Sequence, residues 1–454
     1  MTRTIKFSRI WNIACPIIIG NIAQNLLSIS DTAFLGHLDA ISLGAAALGG
    51  VAYLSIMMLG MGFSIGIQII IARMYGAGRI GQIGSVLHHA LFFIIPFAGV
   101  LWGVCYRFGN DMLSLLIRSP EVLHEAGLFF DVRIAGILFG FLVYVCQSFF
   151  VGVAQTKIIS YITCLMVAVN IVFDWLLIFG HAGFPAMGIR GAALASVLSE
   201  AVAVAVYVAH VYRKKAFREY GIFRRMSYRQ ATMTHLVKIA VPVSLQNFLS
   251  VGSWFIFFIL VEKMGEQELA VSNIGRSLYT LLLLPLWGFA SAVNALVSYS
   301  IGCGKPQLTL PIMGKITLIT VASILVMAAF TALFAKQVIN IYTDIPDLGA
   351  ATIGIMPSIC LSAVFFGMGF ICFNTVSGTG NTHVSLLIEI FATCIYIAVA
   401  MMAVEVWRWG ILHVWLVDGI YGVTVMIASL TYLAGGGWMK QATSTSRRTP
   451  PEKT

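Results

Sequence analysis

Twelve separate stretches of this chain are each apolar for long enough to cross a lipid bilayer, and that limits the fold more than any motif does. A helix rises ~1.5 Å per residue and the hydrocarbon core is ~30 Å thick, so about 20 mostly apolar residues make one span. Such runs lie near residues 10–36, 43–75, 86–106, 127–152, 158–180 and 188–212. A second set lies near 236–262, 269–301, 311–335, 348–377, 384–407 and 410–435. Long, glycine-interrupted runs lack the alternation of a barrel strand. The expected fold is an all-α integral membrane protein with twelve transmembrane helices.

Charge supports this reading and orients the chain. Only 10% of residues are charged, against ~25% in soluble domains, which excludes a cytosolic enzyme, a disordered chain and a disulfide-rich secreted domain. The net charge of +10 could suggest nucleic acid, but its distribution does not. With the N-terminus placed inside and twelve crossings, 20 Lys and Arg fall on the cytoplasmic side and 8 outside, Arg133 and Arg276 among the latter. That is the positive-inside pattern. Both termini are expected in the cytoplasm and the protein in the cell inner membrane, with no nucleic-acid partner. A cleavable signal is not expected, because the first apolar run is too long and carries Pro16 and Asp31. The eight cysteines form no CxxC or Cys/His metal spacing and read as small packing residues.

A constant shift of 226 residues superimposes landmarks. Ile13-Ala14-Cys15-Pro16 falls on Ile239-Ala240-Val241-Pro242, and Leu43 on Leu269. Gly76-Ala77-Gly78-Arg79 falls on Gly302-Cys303-Gly304-Lys305, Pro120 on Pro346, and Gly152 and Thr156 on Gly378 and Thr382. The chain thus reads as two homologous halves of six spans each, parallel because six is even. The expected organisation is an N-terminal six-helix lobe (1–212), a basic cytoplasmic linker (213–235), a C-terminal six-helix lobe (236–436) and a disordered cytoplasmic tail (437–454). Repeats of this kind form two lobes around a central cavity and rock about it, which already describes a transporter.

Acids inside hydrocarbon are costly, on the order of 2.5–3.5 kcal/mol on insertion scales, and mark function by default. Asp31 lies in span 1, with Gln24 two turns earlier on the same face, and Asn170 precedes Asp174 by one turn in span 5. Small residues from Gly191 to Ala195 let span 6 approach closely and bring Ser196 near. Asp31, Asn170, Asp174 and Ser196 make an all-oxygen set, suited to a hard cation or a proton. The shift maps Asp31 to Phe257, Asn170 to Tyr396 and Asp174 to Ala400, so the cluster does not serve to hold the repeat together. The alternative is that each Asp is a satisfied helix–helix hydrogen-bonding residue, or that Asp31 sits higher, near the interface; the functional reading is preferred. Glu200, four residues after Ser196, is a candidate for the same cavity. Glu389 and Asp418 either serve the second half or pair locally, for example with His413. The Gly-x-Gly-basic loops end helices and lack the context of a nucleotide site, and no Walker A sequence occurs, so ATP hydrolysis is not expected.

These features together resemble the multidrug and toxic compound extrusion (MATE) transporters. The resemblance rests on two six-span halves, Pro16 fifteen residues before Asp31, the Gly-x-Gly-basic loops after spans 2 and 8, and Asn170-x-x-x-Asp174. It spans residues 8 to 436 and looks most like the DinF-type branch. By that resemblance Asp31, Asn170, Asp174 and Ser196 match an N-lobe cation or proton site, Na⁺ included, although threonine often stands where Ser196 does. Gln24 matches a cavity-lining glutamine and Pro16 the proline where span 1 bends. Acids that the NorM-type branch carries in spans 7 and 10 are replaced around Leu249–Ser250 and Phe366, which argues against a C-lobe ion site. The implied protein is not an enzyme and needs no cofactor. It is a monomeric secondary antiporter in the lipid bilayer, exporting cationic, amphipathic drugs or metabolites in exchange for Na⁺ or H⁺. The alternative is a lipid-linked precursor flippase of the same superfamily, for which a basic cavity would be expected. A major-facilitator transporter would show an acid in residues 76–84, and a channel a filter-like loop; neither is present.

Overall fold

The computed structural model describes residues 7–115, 117–224, 227–340 and 345–439. Most of the tail expected from 437 onward, and the basic residues Arg3 and Lys6, lie outside them. The first repeat comprises α1 (Phe7–Gly36), α2 (Ala40–Gly76), α3 (Ile83–Ser114), α4 (Pro120–Ala135), α5 (Ile137–Gly152), α6 (Lys157–Phe179) and α7 (Ile189–Arg213). The second comprises α8 (Gln230–Glu262), α9 (Glu266–Gly302), α10 (Thr309–Leu333), α11 (Ala335–Ile339), α12 (Pro346–Gly378), α13 (Thr382–Met401), α14 (Ile411–Val414) and α15 (Leu416–Ala434). No strand occurs among the described residues. Eleven helices there are long and apolar enough to span a membrane, and α4 with α5 make a twelfth that is bent by 50°. The run expected as one span near 127–152 is this bent pair, Pro120–Ala135 with Ile137–Gly152. It breaks at Gly136, where any side chain would run into Val197 of α7.

The repeat is visible in the backbone as well as in the residue types. Left-handed φ values recur 226 residues apart: +73° at Gly78 and +72° at Gly304, +56° at Ala154 and +82° at Gly380, +53° at Ala182 and +49° at Arg408. After α2 the Arg79 N–H donates to the Met74 carbonyl at 3.0 Å, and after α9 the Lys305 N–H donates to Ser300 at 2.9 Å. These six-to-one bonds satisfy carbonyls that the helix end leaves open, and a left-handed residue makes them possible.

Two compact units divide the chain, one of Cys15–Ser244 and one of Met1–Ala14 with Leu245–Thr454. Both crossings fall inside helices rather than in the stretch 213–235. One lies in α1 beside Pro16 and the other in α8 beside Pro242, prolines related by the repeat. Pro16 lacks an N–H to donate, yet α1 is one continuous helix across it. The Ser160 hydroxyl of α6 donates to the Pro16 carbonyl at 2.6 Å. The basic stretch itself is docked on the first unit. Its short helix Lys215–Tyr220 buries Phe217 and Tyr220 against Phe149. His88 Nε2 lies 2.9 Å from the Ile222 carbonyl, and the Arg229 N–H donates to His89 Nε2 at 2.8 Å.

Within the first unit, α2 meets the opening half of α8 at Gly62, where a Cβ would stand 2.5 Å from the Ser244 Cα. Overpacking such a contact costs ~1–3 kcal/mol or more. Gly62→Val is therefore expected to lower the thermal midpoint strongly in detergent. Gly50→Ala, on the same helix with open space around it, should raise stability by ~0.5–1 kcal/mol. Equal effects of the two would contradict this packing. Ala154 holds the conformation that glycine holds at 380, so Ala154→Gly is expected to stabilise by about 1 kcal/mol, and a loss of stability would overturn that strain assignment.

Candidate functional site

The fourfold spacing on α6 stacks Asn170 and Asp174 one turn apart, and both are fully buried. Asp31 arrives from α1, half-buried. With the Asn170 nitrogen facing the acceptors, the amide donates to Asp31 Oδ1 at 2.9 Å and to Asp174 Oδ2 at 3.1 Å. One side chain thus bridges two carboxyls, and those carboxyls are also within hydrogen-bond reach of each other. A bond between two carboxyls needs a proton on one of them, since ionised carboxylates only accept. The other Asp174 oxygen, Oδ1, is buried and has no partner among the described residues.

The other expected residues take different places. Gly191 packs α7 onto α6, where a Cβ would stand 2.6 Å from the Leu177 carbonyl. Ser196, about one and a half turns further along α7, is buried. Its hydroxyl makes no hydrogen bond to either acid among the described residues; its carbonyl accepts from the Ser199 hydroxyl at 2.8 Å. Gln24 is half-buried on the Asp31 face of α1. Glu200 is engaged elsewhere: Arg133 Nη2 donates to Glu200 Oε1 at 3.0 Å, with side-chain exposures of 12% and 13%. Its contacts are those of an internal ion pair.

Arg133 is the residue that the sequence reading misplaced. Counted with the outer charges, it lies instead inside the bent span on α4, its guanidinium 4.1 Å from the Tyr53 ring centroid. It is close enough for its charge to act on Asp31. The signal was present, because Arg133 and Glu200 both fall within expected spans and opposite charges in hydrocarbon pair. Glu389 and Asp418 belong to the second unit, buried beside Tyr421 and Tyr396. His413, the suggested partner of Asp418, lies instead beside Trp409.

A twice-repeated set of six spans, with two carboxyls bridged inside one repeat, is the build of a secondary membrane transporter. A family model described as MatE matches the chain twice, over residues 16–176 and 242–402, more than two thirds of its length. The chain belongs to the MatE family. The same offset of 226 that aligns the halves separates the two matches. Among relatives, the "Probable multidrug resistance protein NorM" of Thermotoga maritima is 24% identical over 96% of this chain and 94% of its own length. A protein of the same name from Geobacillus kaustophilus is 26% identical over 80% and 79%. Among solved structures, an outward-facing multidrug resistance MATE family transporter of the MOP superfamily superimposes with a TM-score of 0.85 at 21% identity, covering 97% of this chain and 96% of that one.

The Arg133–Glu200 pair yields a stability test. Breaking a buried pair by removing one charge costs ~3–5 kcal/mol, whereas replacing both by apolar residues is often close to neutral. Glu200→Leu alone should therefore lower the thermal midpoint more than Glu200→Leu combined with Arg133→Met. A single variant as stable as the parent would remove the pair from the account.

Proposed function

We propose that this chain is an antiporter of the inner membrane, both termini cytoplasmic, that exports cationic, amphipathic organic compounds in exchange for protons. The observation that carries the ion assignment is the Asn170 bridge. Its amide donates to both acids and the acids share hydrogen-bond reach, an arrangement suited to one shared proton more than to a Na⁺ shell of converging oxygens. The exporter reading is supported by relatives named as multidrug resistance proteins. The DinF-like reading rests on the acid pair lying in the first repeat.

In this reading a proton entering from outside neutralises one carboxyl of the pair. Two carboxylates this close in low dielectric repel, so proton arrival relieves that repulsion and the pair titrates as a unit. The change alters the packing of α1 on α6 and releases the substrate outward. Proton departure to the cytoplasm restores the negative charge that attracts the next cationic substrate. The membrane potential contributes ~2.3 kcal/mol per charge per 100 mV. No bond to the cargo is made or broken, so the chain is no enzyme, and neither a cofactor nor ATP takes part.

The test is ethidium efflux from proteoliposomes with H⁺ and Na⁺ gradients imposed separately. Wild type should move dye under the proton gradient, and Asp31→Asn and Asp174→Asn should each fall to the rate without a gradient. Efflux that follows Na⁺ alone would overturn the proton assignment. Efflux at the wild-type rate in either variant would remove the site, and no movement under either gradient would reject the drug-export reading.

A further inference from the structure

The second unit buries two carboxyls that the exchange reading does not use. Glu389 on α13 and Asp418 on α15 are 2% and 4% exposed. The Tyr421 hydroxyl donates to Glu389, 2.9 Å from each carboxyl oxygen. The Tyr396 hydroxyl donates to Asp418 Oδ1 at 2.7 Å. The two tyrosine rings meet edge to face with centroids 5.6 Å apart, so both acids belong to one cluster across α13 and α15.

Helices α8, α9 and α13 contribute neutral groups to the cluster. From α8 come Ser250 toward Glu389 and Trp254 toward Asp418, and from α13 Thr393 toward Glu389. From α9 comes Tyr279, whose ring meets Phe366 of α12 at 6.1 Å. Ser362 of α12 is occupied with the Trp415 carbonyl at 2.8 Å. Arg276 of α9 is exposed and lies 5.3 Å from the Phe258 ring centroid, and His413 is also exposed. No basic side chain contacts either acid among the described residues. This differs from Glu200, which has Arg133. Two buried oxygens at the cluster, Asp418 Oδ2 and Tyr279 Oη, lack partners among the described residues.

A buried carboxylate without a counter-charge costs several kcal/mol, so it is neutralised from outside the protein. Here each acid already receives a hydroxyl hydrogen, and Asp418 keeps one buried oxygen unbonded, where an O–H bond can form. We propose that Asp418 and Glu389, held by Tyr396 and Tyr421, form a second proton-binding site in the C-terminal repeat, loaded independently of Asp31 and Asp174. The step is acid–base only: a carboxylate oxygen takes a proton from water and later returns it to water. The repeat supports the assignment, since Tyr396 occupies the position of Asn170 after the 226-residue shift and each donates to an intramembrane acid.

Infrared difference spectra of the reconstituted full chain between acid and alkaline buffer test this. The parent carries Asp31→Asn and Asp174→Asn, which removes the first pair. It should keep a protonated-carboxyl band from buried acid, and Asp418→Asn and Glu389→Gln in that background should each remove part of it. Tyr396→Phe, which keeps the ring, should shift the Asp418 component to higher frequency, and it serves where Asp418→Asn does not fold. A parent without such a band, a band unchanged by both carboxyl substitutions, or no shift in Tyr396→Phe would overturn the proposal. No transport is read, so this outcome and that of the efflux assay fail separately.

Discussion

Inside hydrocarbon there is no water to complete a hydrogen bond, and this condition organises the whole chain. It forces the backbone into helices, whose bonds close within one segment, and forces each buried polar side chain to find another. The chain meets the second demand in three ways. Arg133 and Glu200 neutralise each other. Asn170 donates to two acids at once. Tyr396 and Tyr421 donate to one acid each. The first arrangement is electrically complete. In the other two no basic side chain is bonded to the acids among the described residues, so a proton or cation must come from solvent, and it is to these that an ion-driven function attaches.

One helix joins that chemistry to the rest of the molecule. α1 carries Asp31 and is also where the chain passes from one compact unit to the other, beside Pro16. A helix with a proline lacks one internal bond at that turn, and here the Pro16 carbonyl is held by Ser160 from α6, the helix of Asn170 and Asp174. A change of packing at the acids therefore has two points of purchase on α1, one at Asp31 and one at Pro16. The matching proline in α8 marks the other crossing.

How far the sequence foretold this depended on the range of the interaction. Spans and repeat rest on local composition and on glycine and proline, whose geometric demands are fixed by the backbone; hence Gly78 and Gly304 adopt the same left-handed turn. That Asn170 and Asp174 share one face was readable from their i to i+4 spacing. The bend at Gly136 was not, because it depends on a tertiary neighbour, Val197. Arg133 was misread for a related reason: charge counting assigns an arginine near a span end to water unless its partner, 67 residues away on α7, is already known. Tyr396 and Tyr421 were invisible as donors, since an aromatic in an apolar run reads as packing.

The repeat also explains why the acids of the two halves do not align. The shift of 226 sets Asp31 against Phe257 and Asp174 against Ala400. The donor position, however, is retained: Asn170 in one half and Tyr396 in the other. Tyrosine is longer than asparagine, so its hydroxyl meets a carboxyl on α15 rather than one on its own helix. The Phe257 ring, at the position that the shift gives to Asp31, has its centroid 6.1 Å from that of Tyr396. The second half thus has its tyrosine-held acid, Asp418, on a different helix, α15.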